Sequence, residues 1–266
     1  MLTFNKYQKV ESLEEAYQLN QKKANKIIGG MLWLKMGTRN IGTAIDLSGL
    51  GLDQIEETEE GFSIGCMTSL RDLEMHPGLH AYTNGEMKES VRHIVGVQFR
   101  NVATVGGSLF GRFGFSDVLT MFMALDSYVE LYKGGIVPMD KFARMERDND
   151  ILVRILVKKT PLEIVYMSQR NTKTDFPVIA CAIAKSDAGI KAVIGARPYK
   201  AYAVMDEEGF LKEGINEESA KAFAAYVAQN ARTGSNMRGS KEYRSHLIRV
   251  LVRRACLQLG GVQNGN

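Results

Sequence analysis

The sequence predicts an α+β protein of two domains, on three observations. Short strand and helix signals alternate through roughly the first 160 residues, whereas strands followed by helices make up the rest. The chain of 266 residues is about 1.8 times the length of a typical ~150-residue domain. Hydrophobic residues make up 45% and charged residues 24% of it, which is typical of a protein that folds around a core. We expect domains at residues 1–160, subdivided near residue 60, and at 161–266.

The first predicted elements are short. Ser12 and Glu15 have the spacing of a capping box, which predicts a helix over about residues 12–23. An apolar strand at 25–28 follows and ends at Gly29-Gly30, where glycine permits a sharp turn. Further patterns predict a helix at 32–36, strands at 43–47 and 61–66, and a helix from Ser69 that stops before Pro77.

A second glycine pair lies in the middle of the chain. The run from Arg100 to Val105 is rich in β-branched residues and predicts a strand that turns at Gly106-Gly107. Ser116 is the predicted cap of an apolar helix. Later patterns predict a strand at 128–132 with a hairpin turn at Gly134-Gly135, strands at 151–157, 165–168, 178–184 and 190–194, and a helix at 217–230. A final helix has a basic face of Arg244, Arg249, Arg253 and Arg254, which we expect to be solvated, with docking to an acidic partner as the alternative.

Composition excludes several classes of function. The 34 basic and 30 acidic side chains give a net charge of +4, mixed along the chain, so no nucleic-acid partner is expected. Three separated cysteines without a C-x-x-C pair predict buried thiols rather than disulfides or metal ligands. The N-terminus is too charged for a signal peptide, and no run of about 18 apolar residues occurs. A soluble cytoplasmic protein without a membrane segment is therefore expected.

The sequence supports neither side-chain catalysis nor a metal site. Its four histidines belong to no nucleophile or zinc motif. His76 and His80 have the spacing of a helical zinc pair, but Pro77 and Gly78 between them break the helix that such a pair needs. We therefore predict no catalytic side chain and no metal ligand.

The two Gly-Gly pairs at 29–30 and 106–107 are the candidate binding elements. Glycine lets backbone N–H groups approach and point at an anion, so two such turns are suited to a diphosphate. As isolated dipeptides they are equally compatible with plain structural turns. Neither pair matches the G-x-G-x-x-G pattern of a Rossmann NAD site, and no Walker P-loop is present.

Several ordered segments resemble the FAD-binding subunit of molybdenum hydroxylases, the xanthine dehydrogenase and carbon monoxide dehydrogenase group. The most specific is Arg100-Asn101-Val102-Ala103-Thr104-Val105-Gly106-Gly107, followed by Ser116-Asp117 and Ala124-Leu125-Asp126. Ile27-Ile28-Gly29-Gly30 is similar to the first FAD loop of that family, and Arg238-Gly239-Ser240-Lys241-Glu242-Tyr243-Arg244 looks like part of its closing helix. The resemblance covers nearly the whole chain.

The resemblance implies a two-part FAD-binding domain of the vanillyl-alcohol-oxidase-like type and a C-terminal α+β domain, with a small antiparallel sheet and helices, that covers the flavin. It implies that both glycine loops embrace the FAD diphosphate and that Asp117 contacts the ribose or adenosine portion. It also implies apolar flavin-pocket positions at Leu152 and at Ile94 or Val95. Without the family, these residues would be core and Asp117 would be a helix cap. The implied cofactor-binding residues are Ile27, Ile28, Gly29, Gly30, Met31, Leu32, Trp33, Val95, Thr104, Gly106, Gly107, Ser108, Asp117 and Leu152.

The sequence departs from the family pattern in two ways. Met31 and Leu32 replace a threonine and an acidic or polar residue, and Ser108 replaces the commoner asparagine, changes that leave backbone cradling intact. Met167 stands where many relatives carry a flavin-side lysine, and the stretch from Arg112 to Phe115 is bulkier than usual. The latter changes bear on how the flavin ring is held and what reoxidises it.

The implied function is that of an electron-transfer flavoprotein subunit. FAD would exchange electrons with iron–sulfur clusters of a partner subunit and with NAD(H) or another acceptor, while a molybdenum-cofactor subunit hydroxylates the substrate. The cofactor carries the redox step, and the chain binds and orients it. Two alternatives remain: a stand-alone flavin oxidoreductase of the same fold, and an FAD-free assembly scaffold. The scaffold is motivated by Met31, Leu32, Met167, Phe113 and Phe115.

Overall fold

The structure, a computed structural model, describes residues 1–262. They divide into two compact units between which the chain passes repeatedly. The first unit comprises Met1–Leu73, Gly96–Gly111 and Ser127–Lys158. The second unit comprises Glu74–Val95, Arg112–Asp126 and the chain from Lys159 onward. Two segments that precede residue 160 therefore belong to the second unit.

Strands and helices alternate at the start of the chain, a run of six short helices lies in the middle, and five consecutive strands precede the last two helices. The first half forms β1 (Thr3–Lys9), α1 (Leu13–Asn20), β2 (Lys26–Ile28), a 3₁₀ helix (Leu34–Met36), β3 (Asn40–Asp46), β4 (Ile55–Glu57), β5 (Gly61–Gly65), α2 (Leu70–Met75), α3 (Pro77–Tyr82), α4 (Glu86–Val91), α5 (Val97–Arg100), α6 (Val105–Phe110) and α7 (Asp117–Ala124). The second half forms β6 (Ser127–Leu131), β7 (Gly135–Pro138), α8 (Met139–Arg144), β8 (Leu152–Lys158), β9 (Leu162–Arg170), β10 (Pro177–Ser186), β11 (Gly189–Gly195), β12 (Tyr202–Met205), α9 (Glu217–Asn230) and α10 (Lys241–Leu259). The predicted α+β class is confirmed.

The first unit contains two sheets. In the smaller one, β3 lies between β1 and β2 and pairs with both in parallel, so that Ile28 lies opposite Asp46. The larger sheet is antiparallel, in the order β4-β5-β8-β6-β7. Along β5 and β6, buried residues alternate with more exposed ones, as expected for a sheet with one buried face. The predicted hairpin turn between β6 and β7 is confirmed, and Gly135 there has φ 66°.

The second unit is built on the antiparallel sheet β12-β11-β10-β9. Eight consecutive residues of β10, Pro177–Ala184, are buried, because α7 and α10 both pack against this central strand. The apolar faces of α9 and α10 supply much of the same core, including Phe223, Val227 and Ile248. The predicted strands and final helices of this region are confirmed.

Two sequence predictions about local structure are wrong. The segment from Arg100 to Gly107 is not a strand: it joins the end of α5 to the first turn of α6. Thr104 sets this geometry, because its hydroxyl accepts from the Gly107 N–H at 3.1 Å and caps the helix. Arg244 does not lie on a solvated face either, since only 1% of it is exposed.

Candidate functional site

The two glycine segments of the first unit lie against each other. A Cβ added at Gly29 would lie 2.7 Å from the Thr104 hydroxyl oxygen. One added at Gly30 would lie 1.9 Å from the Val102 carbonyl oxygen, far inside van der Waals contact. Only glycine therefore permits the loop after β2 to meet the segment before α6.

The first loop, residues 27–33, presents a row of backbone donors. Met31 has φ 55°, in the left-handed region. Within residues 1–262, the N–H groups of Gly30, Met31 and Leu32 donate to no other atom of the protein. Successive N–H groups around a left-handed residue form a concave anion-binding nest. The loop therefore offers donors of the kind that a diphosphate needs.

Most donors of the second segment, residues 104–108, are engaged within the protein. The Gly106 N–H donates to the Cys66 carbonyl oxygen at 2.8 Å, and the Gly107 N–H donates to the Thr104 hydroxyl. The Ser108 hydroxyl donates to the Thr104 carbonyl oxygen at 3.0 Å. A Cβ at Gly106 would lie 2.7 Å from that Cys66 oxygen. In the structure, this segment holds α6 against the first loop. Direct contacts from it to a cofactor stay a prediction.

Apolar side chains surround the row of donors. Ile28 is buried in β2, while Ile27 and Leu32 are half-buried. Trp33 is 54% exposed and meets Phe99 edge-on, with ring centroids 6.4 Å apart. Exposed apolar surface beside unpaired backbone donors is the pattern of a ligand site with a polar and an aromatic part.

The other predicted site residues belong to other segments of the chain. Leu152 is buried at the start of β8, opposite Leu131 in β6. Val95 and Asp117 belong to the second unit. Val95 is 45% exposed with φ 51°, a strained conformation for a β-branched residue. Their contact with a cofactor stays a prediction.

Asp117 lies at the centre of a buried cluster in the second unit. Its Oδ1 accepts from Arg170 Nη2 at 2.7 Å and from the Tyr166 hydroxyl. Ser116, as predicted, is the cap of α7, so Asp117 is its first residue rather than its cap. Burial raises the pKa of the Asp117 carboxyl, and the Arg170 charge opposes that rise. Burial also raises the pKa of Tyr166 well above its ordinary value.

Two further titratable groups border this cluster. Glu86 accepts from the Tyr166 backbone N–H at 2.9 Å. Burial raises the pKa of Glu86 to about 7, helped by the nearby Glu89 charge. Burial lowers the pKa of His93, and the charge of Arg92 lowers it further. The cluster thus combines a buried carboxyl and a buried phenol with two half-buried groups whose pKa values burial also shifts.

Sequence reasoning missed three residues of these arrangements. Val102 belongs to the family-like motif, yet nothing local indicates that its carbonyl oxygen meets Gly30. Tyr166 and Arg170 carry no signal, because they reach Asp117 across 49 and 53 residues of chain. Such pairings arise from tertiary packing.

Neither a metal centre nor a membrane span is found among residues 1–262. Within this described part of the chain, no group of three or more His, Cys, Asp and Glu side chains is arranged to hold a metal ion. His76 caps α3 by accepting from the Leu79 N–H at 3.2 Å. Between residues 1 and 262 no helix combines the length and apolar character needed to cross a bilayer.

Two family models match the chain. The model described as the FAD binding domain in molybdopterin dehydrogenase matches residues 2–160. The model described as the CO dehydrogenase flavoprotein C-terminal domain matches residues 165–259.

Known proteins of similar length match nearly end to end. The glyceraldehyde dehydrogenase medium chain of Sulfolobus acidocaldarius is 24% identical over 94% of this chain and 96% of its own. The nicotine 6-hydroxylase medium subunit of Paenarthrobacter nicotinovorans is 24% identical over 96% and 97%. The structure of carbon monoxide dehydrogenase from Hydrogenophaga pseudoflava includes a chain with a TM-score of 0.86 and 22% identity, with 96% of each chain covered. That likeness establishes the fold.

Proposed function

We propose that this chain, which belongs to the family of FAD-binding domains in molybdopterin dehydrogenases, is the electron-transfer flavoprotein subunit of a multi-subunit molybdenum hydroxylase. FAD is its cofactor. In this proposal FAD passes electrons between iron–sulfur clusters of a partner subunit and NAD(H) or another acceptor. The observation that carries the proposal is the geometry of the first loop. Gly30 packs on Val102 there, and three N–H groups of the same turn have no hydrogen-bond partner within residues 1–262, so they are available to a ligand.

The residues of the first loop fit the diphosphate of FAD. The Gly30, Met31 and Leu32 N–H groups would donate to the phosphate oxygens, at roughly 1.5–3 kcal/mol for each charge-assisted bond. Because these donors are backbone groups, the side chains of Met31 and Leu32 do not remove them. This argues against the FAD-free scaffold. When bound, FAD supplies the redox chemistry, while the protein binds it, orients it and limits access of water.

The remaining contacts of the cofactor are proposed from the family resemblance. They comprise Ile27, Ile28, Gly29, Trp33, Val95, Thr104, Gly106, Gly107, Ser108, Asp117 and Leu152. The names of two relatives describe them as a medium chain and a medium subunit. By the same reasoning we propose iron–sulfur and molybdenum-cofactor partner subunits for this chain, with xanthine dehydrogenase-like chemistry in the complex and substrate recognition on another chain.

Cofactor binding is the first test. Trp33 is the single tryptophan of the sequence and lies in the first loop, so its fluorescence reports directly on this site. Titration of the cofactor-free chain with FAD should quench Trp33 emission, and the purified protein should be yellow and release about one FAD per chain. Gly30→Ala should lose FAD, because the new Cβ would displace the Val102 carbonyl.

A glycine in the same region provides the control. Gly37 has φ −79°, and its nearest atom to an added Cβ, the Leu34 carbonyl oxygen, lies 3.3 Å away. Gly37→Ala should therefore retain FAD. Colourless protein that cannot be reconstituted, or equal FAD content in Gly30→Ala and the parent, would overturn the assignment of this loop.

The partners and the acceptor need separate measurements. Co-purification with small iron–sulfur and large molybdenum subunits would exclude the stand-alone flavin oxidoreductase. Bleaching of the flavin absorbance by NADH would identify NAD(H) as its redox partner, and no bleaching would point to another acceptor. We also propose a cytoplasmic location, which cell fractionation tests.

A further inference from the structure

A basic patch lies on the surface of the second unit, where the loop between β11 and β12 meets the loop before α10. It consists of Arg197, Tyr199, Lys200, Tyr202 and Arg232, of which Arg197 is half-buried and the others are exposed. We propose that the basic patch docks an acidic segment of another protein, with carboxylates of that segment on Arg197 and Arg232. This role goes beyond cofactor binding and does not depend on FAD.

The two loops concentrate positive charge. Residues 189–205 contain three basic and no acidic side chains, and residues 230–241 also contain three basic and no acidic side chains. The whole chain has a net charge of only +4, so these two segments carry more positive charge than the chain does overall. Because complementary charge steers the encounter of two proteins and selects between partners, such a surface favours a negatively charged one.

Hydrogen bonds fix the two loops to each other. The Gly234 N–H donates to the Arg197 carbonyl oxygen at 3.1 Å. The Arg197 guanidinium donates to the Lys200 carbonyl oxygen at 2.7 Å and to the Arg232 carbonyl oxygen. A Cβ added at Gly234 would lie 3.3 Å from the Tyr199 ring, so the loops pack closely. The charges are therefore positioned before a partner arrives, and docking spends little free energy on ordering them.

Tyrosine rings hold the two guanidinium groups of the basic patch. The guanidinium carbon of Arg197 lies 5.5 Å from the ring centroid of Tyr199 and 5.1 Å from that of Tyr202. The guanidinium carbon of Arg232 lies 5.3 Å from the Tyr199 centroid. A guanidinium that packs on a ring keeps N–H donors for a planar carboxylate. Tyrosine and arginine are also the residue types that supply much of the binding energy in protein interfaces.

Neither arginine of the basic patch is neutralised within the described chain. No carboxylate of residues 1–262 forms an ion pair with Arg197 or Arg232, and the Arg232 side chain donates no hydrogen bond there. Burial lowers the pKa of Arg197, and the nearby Arg232 charge also lowers it. By contrast, Arg238 of the same loop pairs with Asp175 through contacts of 2.8 and 3.1 Å. A carboxylate beside the two unneutralised charges would relieve their repulsion.

The arrangement favours carboxylates over nucleic acid. Proteins that bind single-stranded nucleic acid offer open aromatic faces on which bases stack. In the basic patch, Arg197 and Arg232 both lie against the Tyr199 ring, and Arg197 also lies against Tyr202. The patch therefore offers charged N–H donors rather than stacking platforms. Carboxylates accept from such donors in strong, often bidentate pairs, so clustered Asp or Glu side chains define the partner.

The test is fluorescence anisotropy of a labelled hexaglutamate peptide, titrated with the purified full chain at low ionic strength. Hexaglutamate should bind, and hexaglutamine, which lacks the charges, should not. Arg232→Gln and Arg197→Gln should each weaken hexaglutamate binding by about tenfold, as expected for the loss of one charge-assisted contact. Arg254→Gln, which removes an exposed guanidinium from α10, is the matched control and should bind as the parent does.

A further variant separates the role of the ring from that of charge. Tyr199→Leu leaves every charge in place but removes the ring that both arginines contact, so it should weaken hexaglutamate binding about threefold. Circular dichroism of each variant should match the parent, which excludes loss of the fold as the cause. Because Arg232 is exposed, Arg232→Gln keeps the fold and remains decisive even if Tyr199→Leu does not fold.

Several results would overturn the proposal. They are no binding of hexaglutamate at low ionic strength, parental affinity in both arginine variants, or equal losses in Arg232→Gln and Arg254→Gln. Oligouridylate that binds more tightly than hexaglutamate, and is weakened by Arg232→Gln, would overturn it in favour of a nucleic-acid partner. Added salt should weaken hexaglutamate binding progressively, because salt screens exposed charges. These titrations need no bound FAD, so they decide the role of the basic patch even if the chain proves colourless.

Discussion

Arg244 donates from Nε to the carbonyl oxygen of Val178 at 2.9 Å, joining α10 to the first residues of β10. Its other nitrogen atoms donate to the Gly234 carbonyl oxygen at 2.8 Å, to the Asn236 side-chain oxygen at 2.6 Å and to the Gly239 carbonyl oxygen. Arg244 is 1% exposed and forms no ion pair with a carboxylate of the described residues. A buried cation is thus held by neutral oxygen atoms, which fixes the loop carrying Asn236 to α10.

Replacement of Arg244 should therefore destabilise the second unit strongly. Arg244→Met keeps much of the apolar volume but leaves several buried carbonyl oxygens without a donor, at about 1–3 kcal/mol for each. We expect a loss of about 3 kcal/mol or more in the free energy of unfolding, measured by urea denaturation. Arg249→Met, on the exposed face of the same helix, should change it by less than about 0.5 kcal/mol. Equal effects of the two substitutions would contradict this account.

Asp117 should matter for stability whatever its role toward FAD. Asp117→Asn removes the charge that compensates Arg170, whose side chain is only 7% exposed. Breaking one side of a buried ion pair costs about 3–5 kcal/mol, so the melting temperature should fall sharply. Asp187→Asn, in the exposed turn after β10, is the matched control and should leave it unchanged. Unaltered melting of Asp117→Asn would show that the pair contributes little.

Glu86 should make stability depend on pH. Its pKa of about 7 in the folded protein lies above the ordinary 4.5, so the folded state holds the proton more tightly. Stability should therefore fall as pH rises from about 4.5 to 7 and change little above that. We expect this fall in the free energy of unfolding to be roughly 2 kcal/mol, less than the full pKa shift implies, because solvent screens the partly exposed carboxyl. Glu86→Gln should abolish it. Denaturation of both proteins at pH values across this window tests it, and parallel profiles would refute it.

The three cysteines should be unreactive in the folded protein. Cys66, Cys181 and Cys256 are all buried, and none forms a disulfide within the described residues. Burial raises the pKa of Cys66 and of Cys256 to about 12, and that of Cys181 is also raised. Because the thiolate is the reactive form, a disulfide reagent should modify none of them in native protein and all three in denaturant. Rapid native modification of any one would show that its site opens.

Local signals in the sequence are reliable where short-range physics decides the structure. Ser12 caps α1 by accepting from the Glu15 N–H at 3.1 Å, as the capping pattern predicts, although the Glu15 carboxylate accepts from Glu11 rather than from Ser12. Ser116 caps α7 in the same way. The strand prediction around Val102 and Thr104 fails because the capping hydroxyl outweighs the β-branched residues beside it. A cap at Thr104 followed by two glycines is compatible with a helix start, and the structure shows one.

By itself, the sequence determined the α+β class, the capped helices, the antiparallel strands after residue 160 and the family, whose models match residues 2–160 and 165–259. These follow from hydrophobic period, capping residues and ordered motifs, all of which act over a few residues. Only the tertiary structure decided that Gly30 packs on Val102, that Asp117 pairs with Arg170 and that Arg244 is buried. Each of these depends on which distant segments pack together, and the free energy of burying a charge or a carbonyl is set by that packing rather than by neighbours along the chain.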